Sequence, residues 1–122
     1  MNGENITTDT DIISLPIKIK SGNVLARKHW AERRRLKQEY KLLIRNQMRR
    51  KKVPFCEDKK YKLVILSYRK KLLDIDNLWS GLKQLLDALI EENFIYDDSP
   101  DYVDIKLDQY TAKEYQTIII RK

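Results

Sequence analysis

Residues 60–70 read KYKLVILSYRK, and residues 72–93 read LLDIDNLWSGLKQLLDALIEEN. The first stretch is rich in β-branched, aromatic and aliphatic residues, which predicts a central β-strand. In the second stretch, apolar residues recur at helical spacing after Asp76, so a helix that ends near Asn93 would carry one compact apolar stripe. A strand followed by an amphipathic helix predicts a fold of the α/β class.

Upstream of this pair, the sequence predicts a strand and a long helix. Residues 12–20 alternate apolar and polar side chains after Pro16, which predicts a first strand at a sheet edge, where proline is tolerated. Residues 21–23 predict a turn. Residues 27–52 contain neither Gly nor Pro and predict one long amphipathic helix that Pro54 ends.

Downstream, residues 102–107 and 115–121 predict two further strands. The predicted order is strand, helix, strand, helix, strand, strand. The expected fold is therefore α/β (α+β), a small mixed sheet of about four strands with two main helices. With 122 residues the chain can bury one core, so we expect a single domain over residues 1–122, with residues 1–11 flexible.

Several classes of protein are disfavoured by composition. No apolar run approaches the length of a membrane span, and the first residues lack the basic and apolar regions of a secretory signal. We therefore expect a cytoplasmic protein that does not cross a membrane. Cys56 is the only cysteine, which excludes an internal disulfide, and together with one histidine it cannot build a Cys/His zinc site.

Charge is distributed unevenly along the chain, whose formal net charge is +7. Residues 18–71 hold 20 Lys and Arg against 4 Asp and Glu, a local charge of +16. Residues 72–122 hold 5 against 11, a local charge of −6. Such a division indicates that the basic and the acidic segments have different roles, and the basic one is typical of nucleic-acid binding.

The acidic segment contains a constellation with a specific chemistry. Asp74 and Asp76 are two residues apart at the predicted end of a strand, where alternation would send both side chains to one side of the sheet. Carboxylates that repel each other are stabilised by a cation, and Asp97 and Asp98 supply a second carboxylate source. This pattern predicts a divalent-metal site, with Lys83 near enough to contact a phosphate.

The same residues also permit a purely structural interpretation. Asp76 or Asn77 is a good helix N-cap, Lys83 and Asp87 have the spacing of a surface ion pair, and Asp97 and Asp98 precede Ser and Pro as in an ordinary turn. Chemistry alone leaves the two interpretations open.

The constellation resembles a known family in its motifs. DIDNL from residue 74, GLKQLLDAL from residue 81 and FIYDDS from residue 94 are similar to the signature of RusA-like Holliday junction resolvases, the metal-dependent endodeoxyribonucleases common in phages and prophages. The match covers about a quarter of the chain densely. Residues 15, 16, 21 and 23 loosely resemble the family's N-terminal segment.

The resemblance implies a site and a reaction. It implies that Asp74, Asp76 and Asp98 ligate Mg²⁺, for which Mn²⁺ can substitute, and that Lys83 assists catalysis. Supporting roles fall to Asn77 and Asp97. The implied activity is resolution of four-way DNA junctions by paired nicking, in DNA recombination and repair.

Binding of branched DNA is expected from the basic helix, because phosphate contacts come mainly from Arg and Lys. The candidate DNA-binding residues are Arg33, Arg34, Arg35, Lys37 and Lys41. A two-fold homodimer would match the two equivalent strands of a junction, and the resemblance also implies a dimer. Trp79 is one candidate for its interface, although we expect this side chain in the core.

Three alternatives remain open from the sequence. The chain could be a non-catalytic DNA-binding protein whose aspartates only cap and turn. It could be the same nuclease acting on flaps or forks. A structural protein without a nucleic-acid partner would have to use the basic segment only as a solvated face.

Overall fold

The computed structural model describes residues 10–48 and 60–122. Within them the chain forms four strands and four helices. In chain order these are β1 (Asp11–Leu15), α1 (Gly22–Arg27), α2 (Trp30–Gln47), β2 (Tyr61–Arg69), α3 (Ile75–Gly81), α4 (Lys83–Glu91), β3 (Val103–Thr111) and β4 (Gln116–Arg121). The expectations for residues 1–9, for the helical residues 49–52, for Pro54 and for Cys56 lie outside the described residues.

The strands form one mixed sheet in the order β1-β4-β2-β3. β2 pairs with β3 in parallel, and β4 pairs antiparallel with both β1 and β2. The predicted fold class is confirmed, as are the edge position of β1 and the central position of β2. None of the helices in the described residues combines the length and hydropathy needed to cross a membrane.

The hydrophobic core lies between one face of the sheet and the helices. Alternate residues of the strands, such as Leu63 and Ile65 of β2, point into it. From the helices it receives Tyr40 and Ile44 of α2 and the apolar stripe of α3 and α4. The predicted stripe of the second helix therefore packs as expected. Trp79 is an exception, because it is 41% exposed and the expectation that it lies in the core is wrong.

The first strand and the predicted turn differ from expectation. β1 ends at Leu15, and residues 17–20 do not continue the ladder. Side chains bind their carbonyls instead: Thr117 Oγ1 donates to Ile17 at 2.9 Å, and Arg69 Nη1 donates to Ile19 at 2.6 Å. The predicted turn at residues 21–23 is the start of α1, with Ser21 as its N-cap.

The long basic helix is divided into α1 and α2 at residues 28–29. His29 caps α2, because its Nδ1 accepts the backbone N–H of Ala31 at 3.2 Å. Arg33 Nη1 donates to the carbonyls of Leu25 at 3.2 Å and Lys28 at 2.5 Å, which satisfies acceptors left at the end of α1. The expectation of one unbroken helix from residue 27 is therefore wrong.

The second helix is also divided. α3 begins at Ile75, with Asp74 as its N-cap, and α4 follows after Leu82. α4 ends at Glu91, and Asn93 then adopts φ 63°. Asn is one of the few side chains that tolerate this left-handed conformation, which commonly ends a helix. β3 runs to residue 111, further than predicted.

Arg121 joins three parts of the fold. Its side chain is 1% exposed and forms an ion pair with Asp11 of β1. Its Nη1 donates to the Phe94 carbonyl at 2.7 Å, and its guanidinium lies 4.4 Å from the centre of the Phe94 ring. The turn after α4 is thereby attached to β4 and β1.

We predict that Arg121→Met lowers the free energy of unfolding by about 2–4 kcal/mol, because Asp11 and the Phe94 carbonyl both lose a buried partner. Urea denaturation followed by circular dichroism measures the change. Lys122→Met, at the exposed neighbouring position, is the matched control and should change stability by less than about 0.5 kcal/mol. Equal stability of the two variants would contradict this role of Arg121.

Candidate functional site

The first two aspartates of the motif lie at the start of a helix. β2 ends at Arg69, and Asp74 caps α3, so the expectation that Asp74 and Asp76 share a side of the sheet is wrong. Asp74 Oδ2 accepts the backbone N–H of Asn77 at 3.3 Å, and Oδ1 accepts its side-chain Nδ2 at 2.6 Å. Asp76 is exposed in the first turn of α3. The cap belongs to Asp74, whereas the structural interpretation assigned it to Asp76 or Asn77.

Asn77 connects Asp74 to the N-terminal segment. Its Oδ1 accepts the backbone N–H of Asn23 at 3.2 Å while its Nδ2 donates to Asp74. Since both ends of the amide are engaged, Asn77 fixes the orientation of the Asp74 carboxylate relative to α1.

Two glycines allow α1 and α3 to approach this closely. A Cβ at Gly81 would lie 1.7 Å from the carbonyl oxygen of Lys20, and a Cβ at Gly22 would lie 2.3 Å from Cβ of Ser80. Neither gap admits a side chain. The hydrogen bond between Asn23 and Asn77 depends on this approach, so the glycines also position Asp74.

Lys83 lies close to two acidic residues of the motif, Asp87 and Asp98. Its Nζ lies 3.1 Å from Asp87 Oδ1 and 4.0 Å from Asp98 Oδ2. Asp97 Oδ1 accepts the backbone N–H of Asp98 at 2.8 Å, which fixes the turn that carries both residues. Two segments that are separate in sequence, the start of α4 and the turn before β3, therefore meet at Lys83.

The charge of Lys83 follows from these neighbours. The hydrogen bond and the charge of Asp87 raise the pKa of Lys83, partial desolvation opposes them, and Asp98 and Asp97 raise it further. A pKa above the usual lysine value of about 10.4 keeps the amine protonated at neutral pH. Lys83 can therefore donate hydrogen bonds to an anion.

The two parts of the motif do not form one closed metal cage. Within residues 10–48 and 60–122, no three His, Cys, Asp or Glu side chains are grouped so that they could hold a metal ion. The structure brings Lys83 and Asp98 together, and it does not bring Asp74, Asp76 and Asp98 into one such group. The donors themselves are carboxylate oxygens, which are the ligands that Mg²⁺ prefers.

Three of the five predicted DNA-binding residues make contacts within the fold. Arg33 binds carbonyls at the end of α1. Lys37 and Lys41 approach the two carboxylate oxygens of Glu91 at 2.7 and 3.0 Å. Arg34 and Arg35 are exposed and take no part in the ion pairs that join α2 to α4. These two are the residues of the set best placed to meet a ligand.

The ion pairs between α2 and α4 neutralise negative charge at the C-terminal end of α4. Glu91 and Glu92 lie at the C-terminal end of α4, where the helix dipole disfavours negative charge. Arg45 donates two hydrogen bonds of 2.8 Å to Glu92, and Lys37 and Lys41 surround Glu91. Part of the excess of cations on α2 therefore serves to hold α4.

These contacts predict a pH dependence of stability. Hydrogen bonds from Lys37 and Lys41 hold the pKa of Glu91 below its usual value. A carboxylate with a lowered pKa in the folded state contributes stability above its unfolded pKa, about 4.3, and loses that contribution as pH falls through the folded pKa. We therefore expect Glu91→Gln to lower stability at pH 7 by less than about 1 kcal/mol and to reduce the loss of stability between about pH 5 and pH 3.

Urea denaturation at a series of pH values measures this effect. Glu114→Gln removes an exposed carboxylate from the loop between β3 and β4 and provides the control. Identical acid limbs for the wild type and Glu91→Gln would show that this ion pair makes no contribution.

A second group of cations lies at the far end of β2, and sequence reasoning missed it. Lys18 Nζ is 4.6 Å and Lys70 Nζ is 5.3 Å from the centre of the Tyr115 ring. Arg69 brings them together, because its Nη1 binds the Ile19 carbonyl and its Nε binds the Lys71 carbonyl at 2.8 Å. No local pattern in the sequence indicates this cluster, since its members come from three separate segments.

A shallow cleft of about 170 Å³ lies between α2 and the segment before α1. Its cationic lining consists of Lys20, Lys28 and Arg35, and its acidic lining of Glu32 and Glu39. Lys20 is also the residue whose carbonyl meets Gly81. Basic side chains therefore extend from α2 toward the α1–α3 contact that positions Asp74.

The fold and the site define a small mixed α/β protein with an acidic, lysine-containing surface on its helical crossover. Comparison of the chain with protein-family models and with curated proteins gives no match.

Proposed function

We propose that this protein is a Mg²⁺-dependent endodeoxyribonuclease of the RusA-like kind. It makes paired nicks in branched DNA and so resolves four-way junctions in recombination and repair. The observation that carries the proposal is the meeting of Lys83 with Asp98 at 4.0 Å. These residues come from segments that are separate in sequence, α4 and the turn before β3, and a protonated amine beside carboxylates is suited to a phosphodiester and a divalent cation together.

Each residue of the motif has a role in the proposal. Asp74, Asp76 and Asp98 would hold Mg²⁺, with Mn²⁺ as a substitute, and the metal when bound would activate water and polarise the scissile phosphate. Lys83 donates hydrogen bonds to the phosphate oxygens on which charge develops. Asn77 orients Asp74, and Asp97 fixes the turn that carries Asp98.

The carboxylates of Asp74, Asp76 and Asp98 repel one another, so in the proposal they come together only when a metal ion is bound. Asp74 and Asp76 are exposed, and Asp98 is half-buried beside Lys83. Without a cation, bringing a third carboxylate to the other two costs free energy, and a bound divalent ion removes that cost. Gathering of the ligands is therefore coupled to metal binding in the proposal.

DNA binding in the proposal uses the cations that the fold leaves available. Lys18 and Lys70 place two ammonium groups beside one tyrosine ring, and their mutual repulsion is relieved by an anion such as a phosphate. Arg35 of α2 and Lys20 line the cleft beside the segment before α1. Contacts of this type carry no sequence information, so recognition would depend on the shape of the DNA.

The first prediction from this proposal concerns Asp76. Asp76→Asn should abolish Mg²⁺-dependent cleavage of a synthetic four-way junction, because it removes a metal ligand. Its affinity for the junction, measured by gel shift with chelator, should be unchanged or higher, because a negative charge is also removed. Asp101→Asn, at an exposed position just after the Asp98 turn, is the control and should cleave as the wild type does. Equal cleavage by Asp76→Asn and the wild type would refute the metal site.

The second prediction concerns the source of DNA affinity. Lys18→Ala with Lys70→Ala should weaken binding to all DNA forms alike and reduce the slope of log affinity against log salt by roughly one for each lost phosphate contact. Lys37→Ala with Lys41→Ala removes the same charge from side chains that are paired with Glu91. The control pair should have a smaller effect. Equal losses would show that net charge alone, and not this surface, sets the affinity.

A second candidate function is that of a non-catalytic DNA-binding protein. It is favoured by the structural contacts of the acidic residues, because Asp74 caps α3 and Asp87 pairs with Lys83. A protein of this kind would bind DNA equally well with chelator or Mg²⁺ and would not cut it. Assays with matched four-way, fork, flap and duplex substrates would separate this candidate from the nuclease and would also identify the preferred branch.

A further inference from the structure

Three of the seven tyrosines lie at one end of the sheet, where β2 and β3 end and β4 begins. Tyr68 pairs with Tyr110 in the register of β2 and β3, and their rings are stacked with centres 5.4 Å apart. Tyr115 directly precedes Gln116, which is the partner of Tyr68 on β4. Tyr110 is 47% exposed and Tyr115 is 38% exposed. This end of the sheet therefore presents aromatic rings to solvent.

The same end of the sheet carries cations beside the rings. The Nζ atoms of Lys18 and Lys70 lie 4.6 and 5.3 Å from the centre of the Tyr115 ring, which is the range of a cation–π contact. The other charged residues of 70–73 and 108–115 are two lysines and two carboxylates: Lys71, Lys113, Asp108 and Glu114. Since these four balance in charge, Lys18 and Lys70 make the surface cationic and favour an anionic ligand.

Gln109 connects this end of the sheet to the acidic motif. Its Oε1 accepts the backbone N–H of Leu73 at 3.0 Å, and its Nε2 donates to the Leu73 carbonyl at 2.6 Å. Gln109 directly precedes Tyr110, and Leu73 directly precedes Asp74, the N-cap of α3. Two hydrogen bonds therefore hold the start of the motif close to the stacked tyrosines.

Aromatic rings beside ammonium groups match the two parts of an unpaired nucleotide. Bases stack on aromatic side chains whatever their identity, while Lys and Arg attract the phosphates. A base inside an intact duplex is already stacked between its neighbours, so its face is closed to a protein ring. Cations alone would bind duplex and single strand alike. The tyrosines are thus the feature that selects an unpaired strand.

We propose that this end of the sheet binds an unpaired strand of DNA, with a base stacked on Tyr110 and adjacent phosphates at Lys18 and Lys70. The inference rests on the proposed function insofar as DNA is the ligand, and it adds that the bound branch includes unpaired nucleotides. It does not depend on cleavage, because the surface is separate from the Lys83 site. The contact through Gln109 would lead such a strand toward Asp74.

The tyrosine pair also has a structural role that a test must separate from base stacking. Cross-strand aromatic pairs stabilise the strands that carry them, and Tyr68 and Tyr110 join β2 to β3 in this way. Tyr110→Leu keeps an apolar side chain against Tyr68 and removes the aromatic face. Tyr110→Phe keeps both the packing and the aromatic face, so this pair of variants isolates stacking.

The first test measures binding of a labelled oligothymidylate of about 12 nucleotides by fluorescence anisotropy, in chelator so that no strand is cut. Tyr110→Leu should raise the dissociation constant at least about fivefold, whereas Tyr110→Phe should bind as the wild type does. All three proteins should bind a duplex of the same length equally. Ile12→Ala changes an exposed side chain of β1 and is the control that should alter neither constant. Thermal melts establish that each variant is folded.

A second test identifies the contacted residue directly. An oligothymidylate with one thymine replaced by iodouracil is irradiated in complex with the wild-type protein, and crosslinked peptides are identified by mass spectrometry. Base stacking predicts a crosslink at Tyr110 or Tyr68, and Tyr110→Leu should reduce its yield. A pair with only a structural role would give no crosslink there.

Equal binding of the oligothymidylate by folded Tyr110→Leu and Tyr110→Phe would overturn the inference. So would a wild-type protein that binds it no more tightly than a chain of equal length without bases. Either result is compatible with Mg²⁺-dependent cleavage of a fully paired four-way junction, which would leave the proposed nuclease standing. Selective loss of single-strand binding in Tyr110→Leu, with no cleavage by the wild type, would instead support the inference and refute the nuclease.

Discussion

β2 and β3 run parallel and are hydrogen-bonded neighbours, and that pairing constrains the rest of the molecule. Parallel strands cannot be joined by a tight turn, so the chain must return along the sheet before β3 begins. α3 and α4 provide this return, and their apolar stripe forms the larger part of the helical side of the core. Every residue of the acidic motif lies on this crossover or on the turns at its two ends. The candidate site therefore lies on the helical connection that the parallel pairing of β2 and β3 requires.

The opposite charges of the two segments serve more than one purpose. Some of the cations of α2 are paired with carboxylates at the end of α4, and one arginine closes the break between α1 and α2. What is left exposed is a smaller set, which includes Arg34 and Arg35. Lys70, just after β2, and Lys18, after β1, add to it. A count of charges along the sequence therefore overestimates how many cations of α2 are exposed to a ligand. It underestimates how many cations meet at the end of β2.

Hydrophobic periodicity was sufficient to predict β2, the apolar stripe of α3 and α4, and β4, because each of these elements is specified by its own residues. The break at His29 could not be predicted in this way, since it depends on Arg33 reaching back to two carbonyls. The helix start at Asp74 rests on a local contact, in which its Oδ2 accepts the backbone N–H of Asn77, whereas the contact between Asn77 and Asn23 comes only from the tertiary fold. Arg121, Lys18 and Lys70 likewise acquire their partners only from the tertiary fold.

The acidic motif illustrates the same limit at the level of the site. Spacing along a helix was enough to place Lys83 beside Asp87, and the turn before β3 adds Asp98 to them. Spacing did not determine where Asp74 and Asp76 lie relative to Asp98, because the break at Leu82 and the close contact of Gly81 with Lys20 set the direction of α3. Those features depend on how segments distant in sequence pack together.

The position of β4 between β1 and β2 has a consequence for synthesis on the ribosome. Of the four strands in the part of the chain that the structure describes, β1 is made first, yet its neighbour in the sheet is β4, the last of them, and the register joins Asp11 to Arg121. A contact this distant in sequence is slow to form, because a long loop must close before it is stabilised. Among the described strands, β1 therefore has no sheet neighbour during synthesis until β4 has also been made.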